Sequence, residues 1–179
     1  MMGEIRKVDP ARDTREIAEI YRWYVENTTA SFELIPLSEE KMLQRIKDIA
    51  SDFPYYVWEE GGNILGYCYA HRWKSFPAYD ITLETTIYLR PEARGRGIGR
   101  RLMDKLIAEC RAARYTSLIA CITAENTESC RFHESLGFLP VSRFRNVGKK
   151  FGRLLDVVDY QKELYRTNAL TDCEPRLTI

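Results

Sequence analysis

The chain has 179 residues, 45% of them hydrophobic and 30% charged, enough for one domain with a sizeable core and a soluble surface. A formal net charge of +1 gives no bulk field for nucleic acid or an acidic membrane, so only a local basic site is expected. Five cysteines, an odd number with no CxxC pair, and two histidines argue against a zinc site and fit reduced thiols in a cytoplasmic protein. Cys110 and Cys121 lie in apolar runs and read as core residues. The N-terminus is charged from Glu4 onward, unlike a signal peptide, and no apolar run nears the ~20 residues of a membrane span.

In chain order, 4–8 reads as a short strand. Ile17, Ile20, Tyr21 and Tyr24 recur at helical spacing and predict a helix over 13–27. A polar loop with one aromatic, Phe32, leads to a second helix, with Ser38 as its N-cap. "YYVWEE" and "ILGYCYAHRW" are strands joined by the hairpin signal "GGN". "ITLETTIYLR" is a β-branched strand stopped at Pro91. A helix over 97–114 carries Ile98, Leu102, Met103, Leu106, Ile107 and Cys110 on one face. "YTSLIACIT" is a buried strand, and "NTESCRFHESLGF" is a short helix capped by Gly137. Two more strands follow, with 146–158 ("NVGKKFGRLLDVV") holding the turn between them. The order predicts a single α/β (α+β) domain over 1–165 with a mixed sheet, and 166–179 as a loose tail.

The stretch "RPEARGRGIGRRL" (90–102) sets Gly95, Gly97 and Gly99 at alternate positions among five arginines, directly after a strand and at the start of a helix. Free backbone N–H groups, the positive helix end and arginine side chains would there cradle a phosphate. The plain alternative is a tight turn with a solvated arginine face. The spacing GxGxG fits neither a Walker loop, which needs GxxxxGK[ST], nor the GxGxxG dinucleotide fingerprint.

Arg94-Gly95-Arg96-Gly97-Ile98-Gly99 matches the R/Q-x-x-G-x-G/A signature of the GNAT N-acetyltransferases, and Asn126 to Phe138 matches that family's N-x-x-[AS]-x-x-x-[YH]-x-x-x-GF element. "AYDITLETTIYLRPEARGRGIG", "ENTTASFE" and "VGKKFGRLLDVV" resemble the phosphinothricin/methionine sulfoximine (methionine sulfone) branch, and the resemblance spans about residues 4–164. It implies a GNAT fold with a mixed, mostly antiparallel sheet and acetyl-CoA as co-substrate, with no metal. It implies a small amino-acid-like amine as acceptor and a homodimer. The coenzyme phosphates would meet Arg94, Gly95, Arg96, Gly97, Ile98, Gly99 and Arg100. The pantetheine arm would take backbone contacts from Ile87, Tyr88 and Leu89, and Asn126 and Ser129 would touch the coenzyme. Physically, "ETTIYL" spans ~20 Å, comparable to an extended pantetheine arm.

Glu84 stands in a β-branched strand, where glutamate is depleted. It is either an outward surface residue or a general base that takes the proton from an amine nucleophile. The backbone N–H of Leu89 or a neighbour is the candidate oxyanion donor. His133 holds the place where many GNAT enzymes carry an acidic tyrosine. It reads either as a general acid or as a half-buried helix histidine. Asn126 also suits a helix cap. Trp73, Lys74, Phe76 and Tyr79, with Phe32, make an aromatic and cationic group that would wall the acceptor, against ordinary loop packing. A protein or peptide acetyltransferase and a non-catalytic acetyl-CoA sensor are the competing readings; a base at Glu84 argues against the sensor.

Overall fold

The computed structural model describes residues 3–165; the tail 166–179, with Cys173, lies outside the described residues. The chain begins with β1 (Glu4–Lys7) and α1 (Pro10–Asn27). The helix starts three residues before the expected bound at residue 13. Asp9 accepts the N–H groups of Ala11 and Arg12, and Pro10 fills the first turn, where its missing N–H costs nothing. α2 (Glu39–Ala50) begins at Ser38, whose hydroxyl accepts the N–H of Lys41.

β2 (Tyr55–Glu60) and β3 (Asn63–Arg72) form the expected hairpin. Gly61 and Gly62 both hold positive φ at its turn, as a type I′ connection requires. β4 (Thr82–Leu89) pairs antiparallel with β3, and α3 (Ile98–Ala112) follows. Then come β5 (Ser117–Thr123), α4 (Thr127–Ser135) and the long hairpin of β6 (Leu139–Lys150) and β7 (Arg153–Glu163). The seven strands run in the order β1-β2-β3-β4-β5-β7-β6. Among the described residues only the β4–β5 pair is parallel.

α1 and α2 cover one face of the sheet over a core of Ile17, Val25, Ile46, Val57 and Tyr67. α3 packs on the other with Leu102, Met103 and Leu106 against Leu118 and Phe138. Two expectations are corrected here. The segment 146–158 is mostly strand. The turn is Phe151–Gly152, both at positive φ, while Asn146 (φ 55) sits in a bulge between Phe144 and Gly148. Cys110 is buried, but Cys121 is exposed, because alternation along β5 sends Leu118, Ala120 and Ile122 into the α3 core and Cys121 to the opposite face.

Among the described residues no helix is long and apolar enough to cross a membrane. Leu102 is 0% exposed at the centre of the α3 core, and its carbonyl accepts the Cys68 thiol. Leu102→Ala is expected to lower stability by about 2–5 kcal/mol, read as a lower denaturant midpoint with an unchanged slope.

Candidate active site

β4 and β5 pair only over Thr82–Glu84 and Ser117–Ile119. Beyond Glu84 they part, because β5 is zipped along its other edge to β7 through Thr123. The gap opens a cleft of 510 Å³. Arg90 N–H donates to Leu65 O on β3 at 2.8 Å, so alternation turns Tyr88 and Thr86 toward β3 and leaves the backbone groups of Ile87 and Leu89 on the cleft side. The expected backbone contact at Tyr88 is therefore corrected: its ladder groups serve the sheet. The Tyr24 hydroxyl donates to Leu89 O at 2.7 Å and accepts from Arg94 at 3.1 Å, tying the strand to the glycine loop.

At the loop, Gly95 and Gly97 hold φ of +71° and +76°, and a Cβ on either would meet nothing within 4 Å. Both glycines are needed for backbone shape, and the space over them is open. Gly97 is the N-cap of α3 and supplies no side-chain cap, so the first N–H groups of the helix face the cleft without a side-chain partner. Gly99 is a different case: a Cβ there would stand 3.3 Å from Leu89 Cδ1 and 3.5 Å from Phe132, so it permits close packing. The Arg94 guanidinium lies over the rings of Trp23 and Tyr24, 5.3 and 5.4 Å from their centroids, and 3.9 Å from Glu128. Arg100 lines the cleft and donates to Asp104 and to Ser135 O. Arg96 does not face the cleft. Both its contacts go to the Glu60 carboxylate, at 2.7 and 2.8 Å, which corrects its place among the phosphate ligands.

At the other end, Glu84 lines the cleft where the strands part. Burial raises its pKa, His71 opposes the rise and Asp159 adds to it. His71 pairs with Glu84 across β3 and β4, with Nε2 3.9 Å from Oε1; its Nδ1 faces Arg72 O at 3.0 Å. His133, 4% exposed, also lines the cleft. Burial lowers its pKa, and its Nδ1 lies 2.8 Å from Ser129 O, where it donates. A neutral ring so bonded has only an acceptor at Nε2. Asn126 caps α4 through the Ser129 N–H at 3.2 Å, and both residues line the cleft.

Phe32 lines the cleft, its ring seated on Gly148, where a Cβ would stand 2.8 Å away. Trp73, Lys74, Phe76 and Tyr79 do not join it. Lys74 Nζ lies 4.1 Å from the Trp73 ring and 5.1 Å from that of Tyr79, a cluster closed on itself, and Phe76 is 71% exposed. Sequence reasoning missed Tyr24, Ser31 and Cys121 in the lining and His71 beside Glu84. The strand register that brings them in is not written in local periodicity. Among the described residues no three His, Cys, Asp or Glu side chains gather as a metal site.

Residues 17–138 match the profile of the acetyltransferase (GNAT) family. A phosphinothricin N-acetyltransferase of Alcaligenes faecalis is 39% identical over 85% of this chain and 78% of its own. An L-methionine sulfoximine/L-methionine sulfone acetyltransferase of Salmonella typhimurium is 35% identical over 89% and 94%. The solved structure of a phosphinothricin acetyltransferase from Sinorhizobium meliloti in complex with acetyl-CoA superposes with a TM-score of 0.90 at 36% identity, covering 100% of this chain and 96% of that one. Fold and cleft define the class: an enzyme that moves an acyl group from a coenzyme thioester to an amine. The chain belongs to the GNAT acetyltransferase family, as an acetyl-CoA-dependent N-acetyltransferase.

Gly97→Ala forces an L side chain into the left-handed region at the α3 start. It is expected to raise the acetyl-CoA Kd about tenfold by calorimetry, whereas Arg96→Ala stays within about threefold.

Proposed function

We propose that the acceptor is the α-amino group of a small amino acid of the methionine sulfoximine, methionine sulfone or phosphinothricin type, with Glu84 as general base. The observation that carries the base is the position of Glu84, at the point where β4 and β5 part, with burial holding its carboxyl above the usual range. The acceptor class is supported by the relatives' activities and by the Phe32 ring in the cleft lining.

The cleft fits acetyl-CoA, which when bound supplies the acetyl thioester. Open space over Gly95 and Gly97, the α3 N-terminus and the side chains of Arg94 and Arg100 suit the phosphates. Ile87 and Leu89 would pair with the arm's amides, while Asn126 and Ser129 border it. Glu84 then takes a proton from the acceptor's ammonium. The freed amine attacks the acetyl carbon, a C–N bond forms, and the C–S bond breaks with its electron pair leaving on sulfur. The second proton shed by the attacking nitrogen passes to that thiolate to give the free thiol. His71, half exposed beside Glu84, gives the proton a path to solvent. Leu89 lies five residues from Glu84, ~16 Å along the strand, so the Ile87 N–H is the better-placed oxyanion donor. His133 is a positioning residue in this scheme, since its neutral ring has no proton free at Nε2.

A homodimer is supported by the exposed apolar side chains of the β6–β7 hairpin, Leu139, Val141, Phe144, Val147, Phe151 and Leu154. A cytoplasmic setting agrees with the free thiols of Cys68, Cys110, Cys121 and Cys130.

Glu84→Gln is expected to cut kcat by about 10²–10⁴ with methionine sulfone as acceptor, at little cost in acetyl-CoA affinity. A loss within about threefold would remove Glu84 as the base. His133→Asn should lose less than about tenfold in kcat, since it donates no proton. A base must be ionised, so kcat/KM climbs as pH rises through the elevated pKa of Glu84. The acid limb of the pH profile then falls above the ordinary carboxylate value of about 4.3.

A further inference from the structure

The two ends of the cleft differ in charge, although the carboxylate of Glu128 stands beside Arg94 at the α3 end. The cleft's lining arginines, Arg94 and Arg100, both stand at the α3 end. At the acceptor end the lining charge is Glu84, and a second carboxylate stands two strands away. Asp159 on β7 is the direct partner of Cys121 on β5, so both side chains project from the same face as Glu84. Asp159 is half-buried and is held by the Ser142 hydroxyl, which donates to Oδ2 at 2.9 Å. Cys121 opens onto the cleft between the two carboxylates. Partial loss of water around its sulfur first, then Glu84 and Asp159, push this surface-reaching thiol up to about 12, so the floor between them carries no thiolate at neutral pH.

Of the positive groups facing this region, Arg153 and His71 stand against carboxylates, and Lys150 keeps its charge, because the carbonyl that accepts from it is neutral. Lys150 is buried and donates to Ser31 O at 2.7 Å, Arg153 pairs with Glu125 at 2.9 Å, and His71 stands against Glu84 on the side away from β5. An acceptor's ammonium is drawn to such a face. A second anion on the same small molecule is repelled by it, strongly so where little water screens the charges.

We propose that Asp159 selects the acceptor by the charge on its side-chain head, admitting neutral and cationic heads and turning away anionic ones. The inference rests on the reading above that the acceptor is a small amino acid placed beside Glu84. Within that class it favours the uncharged sulfone and sulfoximine heads over the phosphinate. Asp159 is a specificity residue and takes no part in the bond changes.

Three acceptors of similar size test it: methionine sulfone (neutral head), S-methylmethionine (sulfonium cation) and phosphinothricin (phosphinate anion). All share the α-amino and α-carboxylate groups, so ratios of kcat/KM isolate the head. The native protein is expected to prefer the sulfone over phosphinothricin by at least about tenfold and to use the sulfonium at least as well as the sulfone. Asp159→Asn keeps the size and the partner for Ser142. It should shrink the sulfone-to-phosphinothricin ratio by about fivefold or more and reduce the sulfonium-to-sulfone ratio. A variant that folds poorly lowers all three rates together and leaves the ratios alone; native ratios test the charge selection, and unchanged ratios in an Asp159→Asn protein with native thermal stability overturn the role of Asp159. Equal use of sulfone and phosphinothricin by the native protein overturns the charge selection while the acceptor class stands. No turnover on any of the three, with acetyl-CoA still bound, overturns the acceptor class and this inference with it.

Discussion

The parting of β4 from β5 is the constraint on which the rest depends. A strand between two neighbours normally satisfies both edges. β4 keeps β3 from Leu83 to Leu89 and gives up β5 after Glu84, which leaves the cleft-side groups of Ile87 and Leu89 without a strand partner. Such an edge invites an extended, amide-bearing ligand, the same physics by which peptides add to sheets. The parallel pairing at Thr82–Glu84 fixes where the gap starts. Three glycines let α3 begin close to the other end of β4, with Gly99 packed on Leu89 and Ile87. One gap therefore sets both the lie of the arm and the places of the two charged ends.

The electrostatics follow the same axis. Arg94 is held in place by Tyr24, Trp23 and Glu128, so a ligand that met it there would cost it little side-chain freedom. At the opposite end the sheet withdraws Glu84 from water and sets His71 and Asp159 on either side of it. Bulk charge near zero hides this arrangement completely. A protein of net charge +1 carries a positive and a negative site at the two ends of one cleft.

The loop that carries Phe32 into the cleft is held by buried and half-buried bonds. Thr123 donates to Thr29 O, Lys150 to Ser31 O, and Arg45 pairs with Glu33. Tyr21 and Ser31 share a hydrogen bond at 2.8 Å. These contacts tie the loop between α1 and α2 to β5, β6 and α2, so Phe32 sits on a rigid support above Gly148. Burying Lys150 lowers its pKa and is tolerated because a carbonyl accepts from it.

The sequence by itself determined the element order, the amphipathic faces of α1, α2 and α3, the caps at Ser38 and Gly137 and the glycine loop after a strand. These are written in local spacing, and local backbone physics obeys them. The same spacing, through its likeness to a known family, pointed to acetyl-CoA and to Glu84. Tertiary structure alone decided which way each strand residue faced and what lay beside it. Cys121 left the core because β5 alternates between two faces, Arg96 left the phosphate site for Glu60, and the aromatics at 73–79 closed on one another. His71, Tyr24 and Asp159 entered the site through pairings 13, 65 and 38 residues from Glu84, Leu89 and Cys121 respectively. No local period reports contacts at such separations, because register between distant strands is set by the packing of the whole sheet.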